Sequence, residues 1–173
     1  MKPTYEAGMH IRYGGTGICL IERIEEMPFP GELPTRLCYV LKPIHNVGME
    51  ISVPVDNETL CAKMQPLRSK DEIDRMLETA IQDEPLQWNA DRKQRNTEFR
   101  KILAGGDAPM LLKMIHCILI QQAVLKETGK HLSGMDDNMR RDAIRMLNEE
   151  FVFSLGLSPE EASTYIYHKL NQK

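Results

Sequence analysis

Residues 69–80 read Ser-Lys-Asp-Glu-Ile-Asp-Arg-Met-Leu-Glu-Thr-Ala, and this stretch decides the fold. Ser69 followed by Glu72 is a capping-box pattern, in which a hydroxyl and a carboxylate each satisfy a backbone N–H left open by the first helical turn. Ile73, Met76, Leu77 and Ala80 then recur at spacings of three and four, which puts them on one helix face. Upstream of Ser69 the pattern is of another kind. Apolar bursts at residues 11–13, 17–24, 36–42 and 50–54 have strand length and β-branched or aromatic content. Gly14-Gly15 and the segments 28–34 and 46–48 separate them as turns. The chain therefore changes near residues 65–69 from a β part to a helical part, an α+β architecture.

Working downstream, Pro85 interrupts the first helix. A second helix is expected from Trp88 or Asn89 to about Ala104, stopped by Gly105-Gly106. Asp107 caps a third, with Pro109 in its first turn, running to about Thr128. Asp136 or Ser133 caps a fourth that ends near Gly156, and Ser158-Pro159-Glu160-Glu161 opens a fifth. The bundle core should include Ile102, Leu103, Leu111, Leu112, Ile115, Leu119, Ile144, Leu147, Phe151 and Ile166. The third helix is apolar around most of its circumference, so it should be central. Working upstream, so short a meander cannot leave many edges open. The expectation is a small, strongly bent antiparallel β-barrel-like domain over residues 1–66, then an all-helical bundle over residues 69–173.

The composition excludes several function classes. The chain has 173 residues, 22 basic and 25 acidic, for a net charge of −3, so no global positive field recommends nucleic acid and any contact with it must be local. Four cysteines without a CxxC pair read as reduced, mostly buried thiols. The N-terminus lacks the basic-then-apolar layout of a signal peptide. Residues 110–125 are interrupted by Lys113, His116 and Gln121-Gln122 and read as too polar to span a membrane. A cytoplasmic protein with no membrane partner is expected.

Little in the chain points to catalysis. The five histidines form no HExxH or HxH, and the neighbours His116 and Cys117 diverge by about 100° on a helix, so no metal and no cofactor are expected. Tyr13-Gly14-Gly15-Thr16-Gly17 lacks the Lys-Ser/Thr ending and the following helix of a phosphate loop, and reads as a turn between strands. The acidic pairs are consecutive and diverge. Neither an enzyme nor a small-molecule substrate is expected; a Cys–His pair meeting in space is the one catalytic arrangement left open.

One local feature stands out. Trp88, the single tryptophan, precedes Arg92, Lys93, Arg95, Arg100 and Lys101, and between Asn89 and Ile102 five basic residues face two acidic ones. On a helix, Arg92 with Arg95 and Lys93 with Arg100 form two basic stripes. Two readings are open: a surface for phosphate backbone with an aromatic at its edge, or an indole that pins the helix start while the cations stay solvated.

Short motifs run in order along residues 5–155. Gly8-Met9-His10-Ile11-Arg12-Tyr13 leads to Gly17-Ile18-Cys19-Leu20-Ile21-Glu22-Arg23-Ile24-Glu25, then Leu37-Cys38-Tyr39-Val40-Leu41-Lys42 and Ile51-Ser52-Val53-Pro54-Val55-Asp56-Asn57. Glu84-Pro85-Leu86-Gln87-Trp88-Asn89, Leu103-Ala104-Gly105-Gly106-Asp107 and Leu132-Ser133 follow. In this order they resemble the CarD/CdnL family of bacterial transcription regulators. The resemblance implies a Tudor-like β domain that docks on the RNA polymerase β subunit. It implies a helical domain that meets promoter DNA at the upstream edge of the transcription bubble and stabilises the open complex. Trp88 inherits the role of a minor-groove wedge and Lys93 falls at a family basic position; Arg92 and Arg95, from the basic stripe, are the further expected DNA contacts. The polymerase-facing surface falls at Met27 and Ser52, beside Arg23 and Pro54. Where relatives carry arginines, this chain has Met27, Ser52, Ala90 and Asp91, and Asp137 stands at another basic position. Weaker DNA affinity than in more basic relatives follows. The alternative is a polymerase-associated adaptor without direct DNA contact.

Overall fold

The computed structural model describes residues 4–28, 35–46 and 48–171. The expected turns at 28–34 and 46–48 fall wholly or partly outside them. The chain forms two units that divide between Leu67 and Arg68.

The first unit is a sheet of β1 (His10–Tyr13), β2 (Gly17–Met27), β3 (Arg36–Pro43), β4 (Ile51–Pro54) and β5 (Met64–Pro66), in the order β4-β3-β2-β1-β5. All its pairings are antiparallel. The expected barrel-like, Tudor-like closure is not found: β4 and β5 stand at opposite edges of an open sheet. Both edge strands are short, and the chain between them is spent on a single-turn helix, α1 (Glu58–Cys61), so no ladder joins them. Asn57 caps α1, its Oδ1 accepting from the Leu60 N–H at 3.0 Å. β1 and β2 are joined by a 3-10 turn, Gly14–Thr16, where Gly14 (φ +47°) and Gly17 (φ +88°) take torsions that side-chain-bearing residues resist.

Ile11, Tyr13, Cys19, Ile21, Tyr39, Leu41, Val53, Val55 and Met64 form the core of this unit. The β2–β3 register shifts between Ile21 and Arg23, which leaves Glu22 as an extra residue. Beyond that bulge β2 has no buried residue. The segment before β1 is tied down by tyrosines: the Tyr5 hydroxyl donates to the Met64 carbonyl at 3.0 Å, and the Tyr39 hydroxyl accepts from the Thr4 N–H at 2.7 Å.

The second unit comprises α2 (Lys70–Gln82), α3 (Arg92–Gly105), α4 (Ala108–Glu127), α5 (Gly134–Leu155) and α6 (Pro159–Leu170). Ser69 with Glu72 and Ser158 with Glu161 form complete capping boxes, and Asp107 accepts from the Met110 N–H. Of the two candidates for the α5 cap, Ser133 is the one used. The second helix starts at Arg92, not at Trp88 or Asn89. Asn89 Oδ1 accepts from the Asp91 N–H at 2.9 Å, and Asp91 caps the helix by accepting from the Lys93 and Gln94 N–H groups. These local bonds compete with helix formation over the residues just before it.

α4 packs on α2, α3 and α5. It buries Leu111, Leu112, Met114, Ile115, Cys117 and Ile118. By length and composition it is the one helix among the described residues apolar enough to cross a membrane, a test that core helices also pass. The three packing neighbours cover its buried side chains, while Met110, Ile120 and Val124 stay exposed. Of the expected core, Leu111, Leu112, Ile115, Ile144, Leu147, Phe151 and Ile166 are buried, whereas Ile102, Leu103 and Leu119 pack from its margin.

Polar anchors complete the bundle. The buried Glu150 carboxylate accepts from the Arg68 N–H at 2.7 Å and from its guanidinium, fixing the first residue of the unit to α5. On α6, the Tyr165 hydroxyl donates to Asp74 of α2, which also pairs with Lys70 and Lys169. Burial raises the Asp74 carboxyl, but bonds from Lys70, Tyr165 and Lys169 outweigh it and hold the group down at about 2.

Candidate functional site

Trp88 lies in the irregular segment between α2 and α3. Its ring is partly buried, packed on the margin of the helical core. Phe99, in the middle of α3, meets it edge-on with ring centroids 6.2 Å apart and planes inclined at 65°. The Arg95 guanidinium carbon lies 4.1 Å from the indole centroid, a cation–π stack. The indole is therefore neither sealed in the core nor loose at the surface.

Arg95 was expected on a DNA-facing stripe. Instead it is 6 % exposed, and its donors are spent inside the protein. Nε and Nη2 each donate to the Asp136 carboxylate at 3.0 Å, and Nη1 donates to the Asn89 carbonyl at 2.6 Å. Asp136 is 1 % exposed and also accepts from the Ser133 hydroxyl at 2.6 Å. Burial pushes its carboxyl up, but the bonds from Arg95 and Ser133, helped by the charge of Arg92, hold it below the usual range. A buried arginine needs such a partner, since desolvating an unpaired charge costs several kcal/mol. This was recoverable from sequence: Arg95, Phe99 and Ile102 share one helix face, and that face points inward.

With Arg95 turned inward, the stripe it shared with Arg92 is broken. The other, Lys93 with Arg100, survives; these two and their neighbours Arg92 and Lys101 are exposed, and none of the four forms an ion pair among the described residues. Asn89 Nδ2 donates to Gln94 and Glu98 along the other side of α3. Asp137, the acidic departure on α5, is neutralised by Arg140 and Arg141, whose charges and bonds keep its carboxyl low. Trp88, Arg92 and Lys93 thus gather at the N-terminal end of α3, with Arg100 and Lys101 two turns along.

No protein-family model matches the chain, and no curated protein does. Every assignment of activity therefore rests on the residues themselves.

The sheet unit holds the remaining expected positions. Arg23 is not a free cation: it bonds Glu22, Glu25 and Glu50, while Lys42 bonds Glu22 and approaches Glu50. Bonds to Glu50 and then Glu25 push the Arg23 guanidinium further up, and Arg23 in turn holds Glu50 low. Three carboxylates against two cations leave this patch slightly acidic. Pro54, expected at the interface, is buried under its pairing with Cys38. Met27 and Ser52 meet, the Ser52 hydroxyl donating to Met27 Sδ at 3.3 Å, and both are partly exposed. Two of the four expected polymerase-facing side chains are thus engaged elsewhere, and the accessible pair sits where β2 ends and β4 forms the sheet edge.

Among the described residues no cluster of His, Cys, Asp or Glu has metal-binding geometry. Cys117 is buried, and His116 Nδ1 lies 3.2 Å from the Ala80 carbonyl at the end of α2. Burial pushes the Cys19 thiol up to about 11 and raises Cys38, Cys61 and Cys117, the opposite of nucleophile activation.

Proposed function

We propose that the protein binds the β subunit of bacterial RNA polymerase through its sheet unit and stabilises open promoter complexes through Trp88 and the exposed cations of α3. The observation that carries this reading is the mounting of the only indole: partly exposed, backed by a buried ion pair, at the head of a helix whose outer side bears Arg92, Lys93, Arg100 and Lys101. A rigid apolar wedge beside backbone-neutralising cations is what a distorted duplex step accepts. The ordered motifs that resemble those of CarD/CdnL regulators are what points to the partner.

The charge balance fits a tethered mode of action. A chain of net charge −3 with four exposed cations on one helix binds free duplex feebly. Held on polymerase, the same surface acts at millimolar effective concentration, so weak contacts suffice. The protein makes and breaks no bond; favouring the open over the closed complex by about 1.4 kcal/mol shifts their ratio tenfold.

The test is open-complex lifetime at a promoter on which the native protein has an effect. Trp88→Ala should retain polymerase binding and shorten that lifetime toward the value without the protein. An unchanged lifetime removes the wedge. The inward turn of Arg95, which leaves one basic stripe and not two, favours a second reading: an adaptor on polymerase with no DNA contact. Crosslinks from α3 to upstream promoter DNA within the polymerase complex exclude the adaptor, and their absence supports it.

A further inference from the structure

Arg95 is costly to bury, and apolar side chains at both Arg95 and Asp136 could serve stability as well, because replacing a buried ion pair by apolar residues is often neutral or stabilising. The pair's geometry does something an apolar contact cannot. One guanidinium reaches three targets: the Asp136 carboxylate on α5, the backbone carbonyl of Asn89 immediately after Trp88, and the face of the indole 4.1 Å away. Asp136 is in turn held by the Ser133 cap. The main chain beside the tryptophan and the ring are thus fixed by the same planar group, while Phe99 packs against the ring at an interplanar angle of 65°. One ring face is occupied by the guanidinium, and the ring as a whole remains partly exposed.

We infer that Arg95 is the positioning residue of Trp88: anchored by Asp136, it locks the indole in one orientation before any partner arrives. Its consequence at a promoter rests on the function proposed above; the locking does not. The ordering cost of the indole is met on folding and not on binding, so the presented ring binds better than a mobile one. A worth typical of a partly desolvated cation–π contact makes the change in the locked population about fivefold.

Because Trp88 is the only tryptophan, acrylamide quenching of intrinsic fluorescence in the full chain reads this ring alone. Arg95→Lys keeps the charge but loses the planar fork that serves three targets at once. With a native circular dichroism spectrum and well below its melting temperature, R95K should show a quenching constant raised several-fold. A purely structural Arg95 would lower the melting temperature and leave low-temperature quenching unmoved; that outcome overturns the inference. Should R95K fail to fold, Asp136→Asn and the native chain decide. Quenching in D136N equal to native, or native quenching as strong as that of N-acetyltryptophanamide, also overturns it. In polymerase complexes R95K should shorten the open-complex lifetime, and R95K combined with W88A should be no worse than W88A alone. A double variant clearly worse than W88A means Arg95 acts independently and sinks the inference. If W88A has no effect on lifetime while R95K still raises quenching, the promoter function fails and the positioning role stands.

Discussion

Replacing Asp136 by asparagine keeps the volume and the Ser133 contact but removes the charge that faces Arg95. In the native unit that carboxylate is 1 % exposed and takes two guanidinium bonds of 3.0 Å. D136N therefore leaves a buried cation with a neutral partner, the situation that costs about 3–5 kcal/mol in comparable pairs. For a unit of this size each kcal/mol moves the melting temperature by roughly 4–8 °C, so a fall of a dozen degrees or more is expected. Guanidinium unfolding followed through Trp88, whose signal reports the helical unit only, measures it. Replacing both partners, as Arg95→Met with Asp136→Leu, should recover most of the loss, because no charge is then stranded. The acid side gives an independent check. Asp136 has a depressed folded-state pKa, so its stabilising contribution is fully present above the ordinary carboxylate value and is lost as the pH falls through the lower folded value. The difference between native and D136N protein should accordingly be constant near neutrality and shrink below about pH 4. A D136N penalty under about 1 kcal/mol, or a double variant as unstable as the worse single, would refute the view of this pair as buried and mutually dependent.

Three further outcomes follow from other contacts. Asp74→Asn should loosen α6, seen as faster amide exchange over Pro159–Leu170; the contribution of Asp74, depressed to about 2, is present above its ordinary 3.8 and is lost as the pH falls toward 2. Ser158→Ala should cost the helical unit about 1 kcal/mol, because its capping box satisfies the opening turn of α6; a thermal melt shows it. Cys19, Cys38 and Cys117 should resist a thiol reagent at pH 8 until the chain unfolds, while Cys61, the only partly exposed thiol, reacts first; simultaneous reaction of all four in the native protein would contradict their burial.

Features specified by neighbours in sequence were legible, and those specified at a distance were not. Ser69, Asp107 and Ser158 announced their helices because a cap and its partner lie within one turn. The start of α3 was misplaced because the Asn89 and Asp91 side chains compete for backbone N–H groups that helical spacing alone assigns to the helix. β5, three residues containing glutamine and proline, carries no strand pattern; it exists because β1 offers it a register, Ile11 to Pro66 and Tyr13 to Met64. The open sheet was unreadable for the same reason, since closure depends on whether the ends meet. At the candidate site Trp88 was conspicuous by its uniqueness. The inward partner of Arg95 is hidden from the sequence because its countercharge lies 41 residues away, although its place one turn before Phe99 marks the inward face. Arg23 looked available because Glu50 joins it only through strand pairing.

The Glu150 clamp has an implication for how such a chain can be reshuffled. Each unit keeps its own interior, and the carboxylate that secures the opening residue of the helical unit belongs to that same unit. A genetic crossover just ahead of Arg68 would transfer every helix together with the fastening that starts them, and would leave behind a sheet missing none of its buried residues. A breakpoint only a few codons later would remove the Arg68 N–H and guanidinium from which Glu150 accepts. The junction is in that sense a seam with one well-placed cutting line, and transplanting the helical unit onto a foreign N-terminal module should succeed or fail according to whether Arg68 travels with it.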